Sequence, residues 1–172
     1  MAVKNWEKRA WQPREMQMIT EWLAKTQAGK RWMTRVRLGS PRPEVPRPDM
    51  SPEELAMIGS WRRWADAIIL ENTKVTIVEA AIRPEPGDIS KLQLYARLFP
   101  HTPEFEAWHA LPVEMILLYA IEDPTVIFLA REAKIRCIEY KPTWLPSYMQ
   151  ILLPRERRGS QASREIMETK KP

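Results

Sequence analysis

The stretch RRWADAIILENTKVTIVEAAI, residues 62–82, contains two apolar runs separated by a short polar segment. Runs of this length that are rich in Ile, Val and Ala predict β-strands, here over residues 62–70 and 75–82. The polar segment Glu71–Lys74 between them is long enough for a two-residue turn and its flanking positions. The stretch therefore predicts a β-hairpin, around which the rest of the fold is assembled.

The register of this hairpin brings two acidic side chains together. If Asn72 and Thr73 form the turn, the numbers of paired residues add up to 145, so Asp66 lies opposite Glu79. Directly opposed side chains have Cβ atoms about 5 Å apart. Two carboxylates at that distance are costly unless they share a cation or a proton, and Mg²⁺ binds one or two carboxylates together with water and phosphate. Asp66 and Glu79 are therefore candidate metal ligands.

Hydrophobic spacing predicts the other elements of the chain. Apolar residues at helical spacing predict a helix over residues 15–28, and alternation predicts a strand over residues 31–38 with Arg31, Arg35 and Arg37 on one cationic face. The later predicted elements are a helix from Ser51 to about Gly59, a helix capped by Asp88, a strand over residues 113–121, a helix from Asp123 to about Lys134 and a strand over residues 135–140. This order of hairpins and crossovers predicts an α/β fold with a mixed sheet.

The basic charge lies at the two ends of the chain. The net charge of +5 over 172 residues divides into +6 over residues 1–50, −4 over residues 51–141 and +3 over residues 142–172. Basic flanks of this kind can contact phosphates or an acidic partner. The predicted organisation is an N-terminal arm over residues 1–14, an α/β domain over residues 15–141 and a C-terminal extension with a basic tail over residues 142–172.

The residues that the chain lacks exclude several protein classes. With one cysteine, Cys137, and two histidines, His101 and His109, neither a disulfide framework nor a Cys-rich or His-rich metal site is expected. The usual glycine-rich phosphate-binding motifs are missing as well. No apolar run reaches about 18 residues and no signal-peptide stretch begins the chain. We therefore expect no membrane association and no secretion, but a location in the cytoplasm; a virion is the other expected location only through the family resemblance described below.

Three segments carry a resemblance to a known family: Arg62–Ile69, Val75–Pro84 and Gly87–Tyr95. They resemble the PD-(D/E)XK nuclease superfamily, also called the restriction-endonuclease-like fold, whose members place Asp on one core strand and Glu-x-Lys on the next. The resemblance implies a restriction-endonuclease-like mixed sheet flanked by helices over roughly residues 15–141. It also implies that Asp66 and Glu79 are catalytic and hold Mg²⁺. A helical Glu that assists metal binding in many members could be Glu15 or Glu21.

The sequence departs from this family at one position. The family's lysine should stand two residues after Glu79, where this chain has Ala81. Loss of such electrostatic help typically costs about 10²–10³ in rate. Lys91, Arg83 or Lys74 could substitute, and Lys91 is the best candidate because some members supply the lysine from the following helix. That helix often carries a Gln-x-x-x-Tyr-like motif, and Lys91 and Tyr95 stand at its Gln and Tyr positions here.

Two functions compete on these observations. The sequence favours a catalytically impaired member of the nuclease fold with a binding, structural or assembly role. An example is a bacteriophage virion or DNA-packaging component. Its partners would be DNA or other subunits, and it could form oligomers. The alternative is an active Mg²⁺-dependent DNA nuclease that uses Asp66, Glu79 and Lys91. No cofactor is expected if the chain is inactive.

Plainer interpretations of the same residues remain open. Asp66 and Glu79 could be carboxylates on a solvated sheet end, and a small-molecule enzyme is a third class. Trp61 and Trp64 could stack on bases, although packing is the more usual role of such residues. The predicted nucleic-acid-binding residues are Arg35, Arg37, Arg62, Arg63 and Tyr95.

Overall fold

The predicted hairpin lies at the centre of the sheet. Strands β2 (Arg63–Leu70) and β3 (Val75–Ala81) pair antiparallel. Ala67 lies opposite Val78 and Leu70 opposite Val75, so the predicted register is confirmed for the paired residues, although Asp66 and Glu79 are not a pair of this ladder. A computed structural model of the chain describes residues 14–40, 51–53 and 62–152.

Within the described part of the chain, the sheet has five strands in the order β1-β2-β3-β4-β5, of which the first three are antiparallel and the last three are parallel. Helices connect the parallel strands, because a parallel pair needs a crossover. The predicted α/β fold with a mixed sheet is therefore confirmed. The remaining elements are α1 (Glu15–Thr26), β1 (Arg31–Leu38), α2 (Pro86–Leu98), β4 (Val113–Tyr119), α3 (Pro124–Glu132) and β5 (Arg136–Glu139), with 3₁₀ segments at Phe99–His101 and Pro103–Trp108.

Helices α2 and α3 begin at proline residues that follow acidic caps. Asp123 accepts hydrogen bonds from two backbone N–H groups in the first turn of α3. Helix α2 begins earlier than predicted, because its N-cap is Glu85 and not Asp88. The Asp88 carboxylate instead accepts a hydrogen bond from the Glu85 backbone N–H, which closes a capping box.

Helices cover both faces of the sheet. Helix α2 packs on β2, β3 and β4, and α3 packs on β5 and α2. The buried side chains of α1 lie outside the core on that face, and α1 contacts β2 and β3, so it covers the opposite face. The core below α2 and α3 includes Leu38, Ile68, Leu70, Val75, Ile77, Leu92, Tyr95, Phe99, Leu117, Tyr119, Val126 and Ile127.

Strand β1 is irregular at Arg35. The ladder between β1 and β2 skips one residue of each strand, Arg35 and Asp66. Arg35 has φ 53°, a left-handed conformation that is uncommon outside glycine. Met33 and Val36, on either side of it, pack against the same core, although strict alternation would place them on opposite faces. The predicted alternation of this strand, and the uninterrupted cationic face that it implied, are therefore wrong at Arg35.

The hairpin opens into a fork beyond Ala67 and Val78. The ladder of β2 and β3 ends at that pair. Beyond it, β2 continues in register with β1, whereas β3 continues in register with β4. Asp66 and Glu79 are the first residues past the last pair, so the fork places their side chains where the two strands separate.

Several predictions fall on residues that are not described. They concern the N-terminal arm, most of the predicted helix from Ser51 to Gly59, Trp61 and the basic tail. Residues Arg14–Tyr140 form one compact unit, and residues 141–152, which are helical from 145 onward, belong to another. Within the described residues, no helix is long and apolar enough to cross a membrane.

Lys134 offers a test of the backbone after α3. It has φ 59°, just past the C-cap Ala133. A left-handed residue with a Cβ is strained, whereas glycine adopts this conformation freely. We expect Lys134→Gly to raise the free energy of unfolding by about 0.5–1 kcal/mol in urea denaturation. Lys134→Ala keeps the Cβ and is the control. A glycine variant no more stable than the alanine variant would contradict a strained left-handed backbone at residue 134.

Candidate functional site

Side chains from four elements converge at the fork. Strands β2 and β3 supply one carboxylate each, α1 supplies one at its first residue, and α2 supplies one in its first turn together with a lysine and a tyrosine. We call the four acidic residues the carboxylate cluster: Glu15, Asp66, Glu79 and Asp88. Asp66, Glu79 and Lys91, the three predicted catalytic residues, are thus brought together.

Lys91 reaches into the cluster from α2. Its Nζ lies 2.9 Å from Glu79 Oε1 and 2.8 Å from Asp88 Oδ1. Burial lowers the pKa of Lys91, but the hydrogen bonds to the two carboxylates raise it by more. The pKa of Lys91 therefore lies above its ordinary value. The lysine side chain is 50% exposed, so its ammonium enters from the solvent edge. Lys91 is therefore held as a cation directly on the Glu79 carboxylate.

The other two basic candidates lie elsewhere. Lys74 forms an ion pair with Glu114 at 2.9 Å, at the turn end of β3. Arg83 is exposed just after β3 and forms no ion pair with the described residues. Of the three candidates for the missing lysine, Lys91 is the one that contacts Glu79.

Glu79 has the smallest exposed fraction of the four residues in the cluster. It is 5% exposed, and its Oε2 has no hydrogen-bond partner among the described residues. Burial, followed by the charge of Asp66, raises the pKa of Glu79 to about 7, although the hydrogen bond from Lys91 opposes this shift. Near neutral pH the group is therefore balanced between the protonated acid and the carboxylate, and a further cation would favour the carboxylate.

Asp66 bridges the fork through one of its oxygens. Oδ2 accepts a hydrogen bond of 2.8 Å from the backbone N–H of Ala80 on β3. Burial raises the pKa of Asp66, while this hydrogen bond and the charges of Lys91 and Arg35 act against the rise. No hydrogen bond to Oδ1 occurs among the described residues, which leaves that oxygen for a ligand.

Asp88 is a site residue that the sequence interpretation treated only as a helix cap. It is buried, accepts from the Glu85 N–H through Oδ2 and holds Lys91 through Oδ1. The spacing of three residues between Asp88 and Lys91 on one helix is the signal from which this contact could have been predicted. Asp88 thus couples the start of α2 to the position of the lysine.

The structure distinguishes the two glutamates proposed on α1. Burial is the main cause that raises the pKa of Glu15, and the charges of Asp66 and Asp88 add to it, so Glu15 acts on the other carboxylates of the cluster. Glu21 lies further along the helix, where it accepts a hydrogen bond from Gln17. Glu15 is the candidate that can contribute to the site.

Tyr95 lies below the cluster and not on open surface. It is 5% exposed and belongs to the core under α2. Burial, followed by the charge of Glu79, raises the pKa of Tyr95 to about 12. Its ring therefore supports the face of α2 that carries Lys91.

The predicted nucleic-acid-binding arginines divide into two groups. Arg35, Arg37 and Arg63 are exposed on β1 and β2. Arg62 instead forms a two-pronged ion pair with Glu104, at 2.7 and 3.0 Å, and donates a hydrogen bond to a β1 carbonyl. Arg62 thus ties the 3₁₀ segment Pro103–Trp108 to the edge of the sheet.

Comparisons with protein-family models, with curated proteins and with solved structures find no match for this chain. Across residues 14–40, 51–53 and 62–152, no group of three or more His, Cys, Asp and Glu side chains is arranged to hold a metal ion. The chemistry of the site therefore depends on the two fork carboxylates and their neighbours.

Glu79 gives a prediction for the pH dependence of stability. Because folding raises its pKa from 4.5 to about 7, the folded state binds the proton more tightly than the unfolded chain. Its contribution is fully present below pH 4.5 and is lost as the pH rises through 7. In EDTA, urea unfolding should show a loss on the order of 3 kcal/mol between these limits. Glu79→Gln should remove that loss.

The matched control is Glu114→Gln, which removes an exposed glutamate from a lysine pair of equal length. It should leave the pH dependence unchanged. An unchanged pH profile in Glu79→Gln would show that the carboxyl titrates alike in the folded and unfolded chain.

Proposed function

We propose that the chain is a divalent-metal-dependent nuclease that cleaves a phosphodiester bond of DNA, with Lys91 in place of the lysine that position 81 lacks. The observation that carries the proposal is the 2.9 Å contact between Lys91 Nζ and Glu79 Oε1. This contact places an ammonium group beside the Glu79 carboxylate on β3, although β3 itself carries no lysine. The resemblance to the PD-(D/E)XK superfamily supplies the reaction type.

The donor atoms of the fork suit Mg²⁺. Asp66 and Glu79 each have one oxygen without a hydrogen bond from the described residues. The four acidic side chains of the cluster outnumber the single ammonium of Lys91, so binding of a further cation would be electrostatically favourable. Mg²⁺ takes one or two carboxylates and keeps several waters, which fits a site that lacks a larger group of ligands. When bound, it would stabilise negative charge on the phosphate and acidify a water molecule.

The chain's own residues have separable tasks in this proposal. Asp66 and Glu79 would hold the metal, and Glu15 stands close enough to add negative charge. The Lys91 ammonium would lie against the attacked phosphate, where charge develops. Asp88 positions Lys91, since it holds the same Nζ at 2.8 Å. Tyr95 packs beneath them.

Cleavage assays test the proposal. Purified protein is incubated with linear and supercoiled DNA and Mg²⁺ or Mn²⁺. We expect cleavage by the wild type and a loss of at least about 100-fold in Asp66→Asn, Glu79→Gln and Lys91→Met, because each removes charge from the reacting centre. Lys74→Met is the matched control, since Lys74 also pairs with a glutamate at 2.9 Å but at the far end of β3. Equal cleavage by Lys91→Met and Lys74→Met would contradict the role of Lys91.

The second candidate function is a non-catalytic binding or assembly role. It is favoured by Ala81 and by the pairing of Lys91 with two carboxylates, which can serve as a purely structural ion pair. In that case the wild type cleaves no DNA, and cleavage arises only when Ala81→Lys restores the family's lysine. A virion or DNA-packaging role belongs to this second candidate.

A further inference from the structure

Trp64 is an exposed aromatic residue beside the carboxylate cluster. It stands two residues before Asp66 on β2, which corresponds to about 7 Å along a strand. The residue is 52% exposed. A cleft of about 590 Å³ is lined by Trp64, Arg35, Met16 and Asp66. The indole and the fork carboxylate therefore face the same open space.

Arg37 supports the indole from the neighbouring strand. The two residues are direct partners in the ladder between β1 and β2. The Arg37 guanidinium lies 4.6 Å from the centre of the Trp64 ring, a distance at which a cation–π interaction is favourable. This contact fixes the ring on the sheet and adds positive charge beside it.

The surroundings of Trp64 are basic, unlike the cluster. Arg35 and Arg37 are exposed on β1. Arg35 lines the same cleft as Trp64 and forms no ion pair with the described residues. Arg35 also acts electrostatically on Asp66, and both residues line the cleft together with Trp64. A nucleic-acid strand would find positive charge for its phosphates and an aromatic ring for a base within one cleft.

Trp108 is a useful comparison, because it also stacks with an arginine but does not have an exposed ring. Trp108 has Arg31 over its ring at 5.2 Å, but it is half-buried and packs against the core. Trp64 is absent from that core. The exposed indole of Trp64 thus has no packing role there, and its position next to Asp66 calls for another explanation.

We propose that Trp64, backed by Arg37, is a stacking platform for an unpaired base, and that the site acts on single-stranded DNA or on an unwound end. Bases inside a duplex are covered on both faces by their neighbours, so only an unpaired base can lie on the indole. This inference rests on the proposed nuclease function, because it assigns the substrate of that site.

The test is a binding measurement without cleavage. A fluorescein-labelled 20-nucleotide single strand of mixed sequence, and a hairpin duplex of the same sequence, are titrated in EDTA and followed by anisotropy. Wild type should bind the single strand more tightly than the duplex. Trp64→Ala should weaken single-strand binding roughly 5- to 100-fold with little effect on the duplex. Trp64→Phe should retain most of the affinity, and Trp108→Phe, the matched control, should bind like wild type.

The outcomes separate this inference from the proposed function. Equal single-strand affinity in Trp64→Ala and wild type, tighter binding of the duplex, or no binding of either DNA would overturn the stacking platform. Asp66→Asn should lose cleavage and keep Trp64-dependent binding. If no DNA is cleaved while that binding persists, the nuclease function fails and the platform stands. If cleavage occurs equally on both DNAs and in Trp64→Ala, the platform alone fails.

Discussion

The ion pair between Lys91 and Glu79 is the interaction on which the site depends. Glu79 lies on the central strand, 5% exposed, where an isolated carboxylate would be costly to hold. Helix α2 compensates by placing an ammonium 2.9 Å away. That placement requires α2 to begin at Pro86, which the capping box between Glu85 and Asp88 fixes. The cap of α2, the helix itself and strand β3 are therefore linked through Lys91.

The pair does not neutralise the whole site. Asp66 remains fixed to β3 by the Ala80 N–H, and Glu15 approaches from α1, so acidic groups outnumber the nearby ammonium. The adjacent cleft contains the Arg35 guanidinium, and the Arg37 guanidinium lies over the Trp64 ring beside it. The proposed phosphodiester chemistry would use the acidic site to hold a cation and the basic surface beside it to bind phosphates. This division of charge connects the fold to the proposed function.

Much of this arrangement could be predicted from the sequence, because turn length fixes hairpin register and register brings Asp66 towards Glu79. The irregular backbone at Arg35 could not, since no glycine or asparagine marks its left-handed conformation. The role of Asp88 was missed because its capping contact is local, whereas its contact with Lys91 matters only once α2 packs over β3. Long-range packing, and not local propensity, decides which charges meet.

Metal binding tests the central claim most directly. Free Mn²⁺ can be followed by electron paramagnetic resonance while it is titrated into wild-type protein, Glu79→Gln and Glu114→Gln at pH 8. The account predicts one Mn²⁺ site per chain in wild type and in Glu114→Gln, and its loss in Glu79→Gln. Equal binding in all three proteins, or none in wild type, would contradict a metal site at the fork.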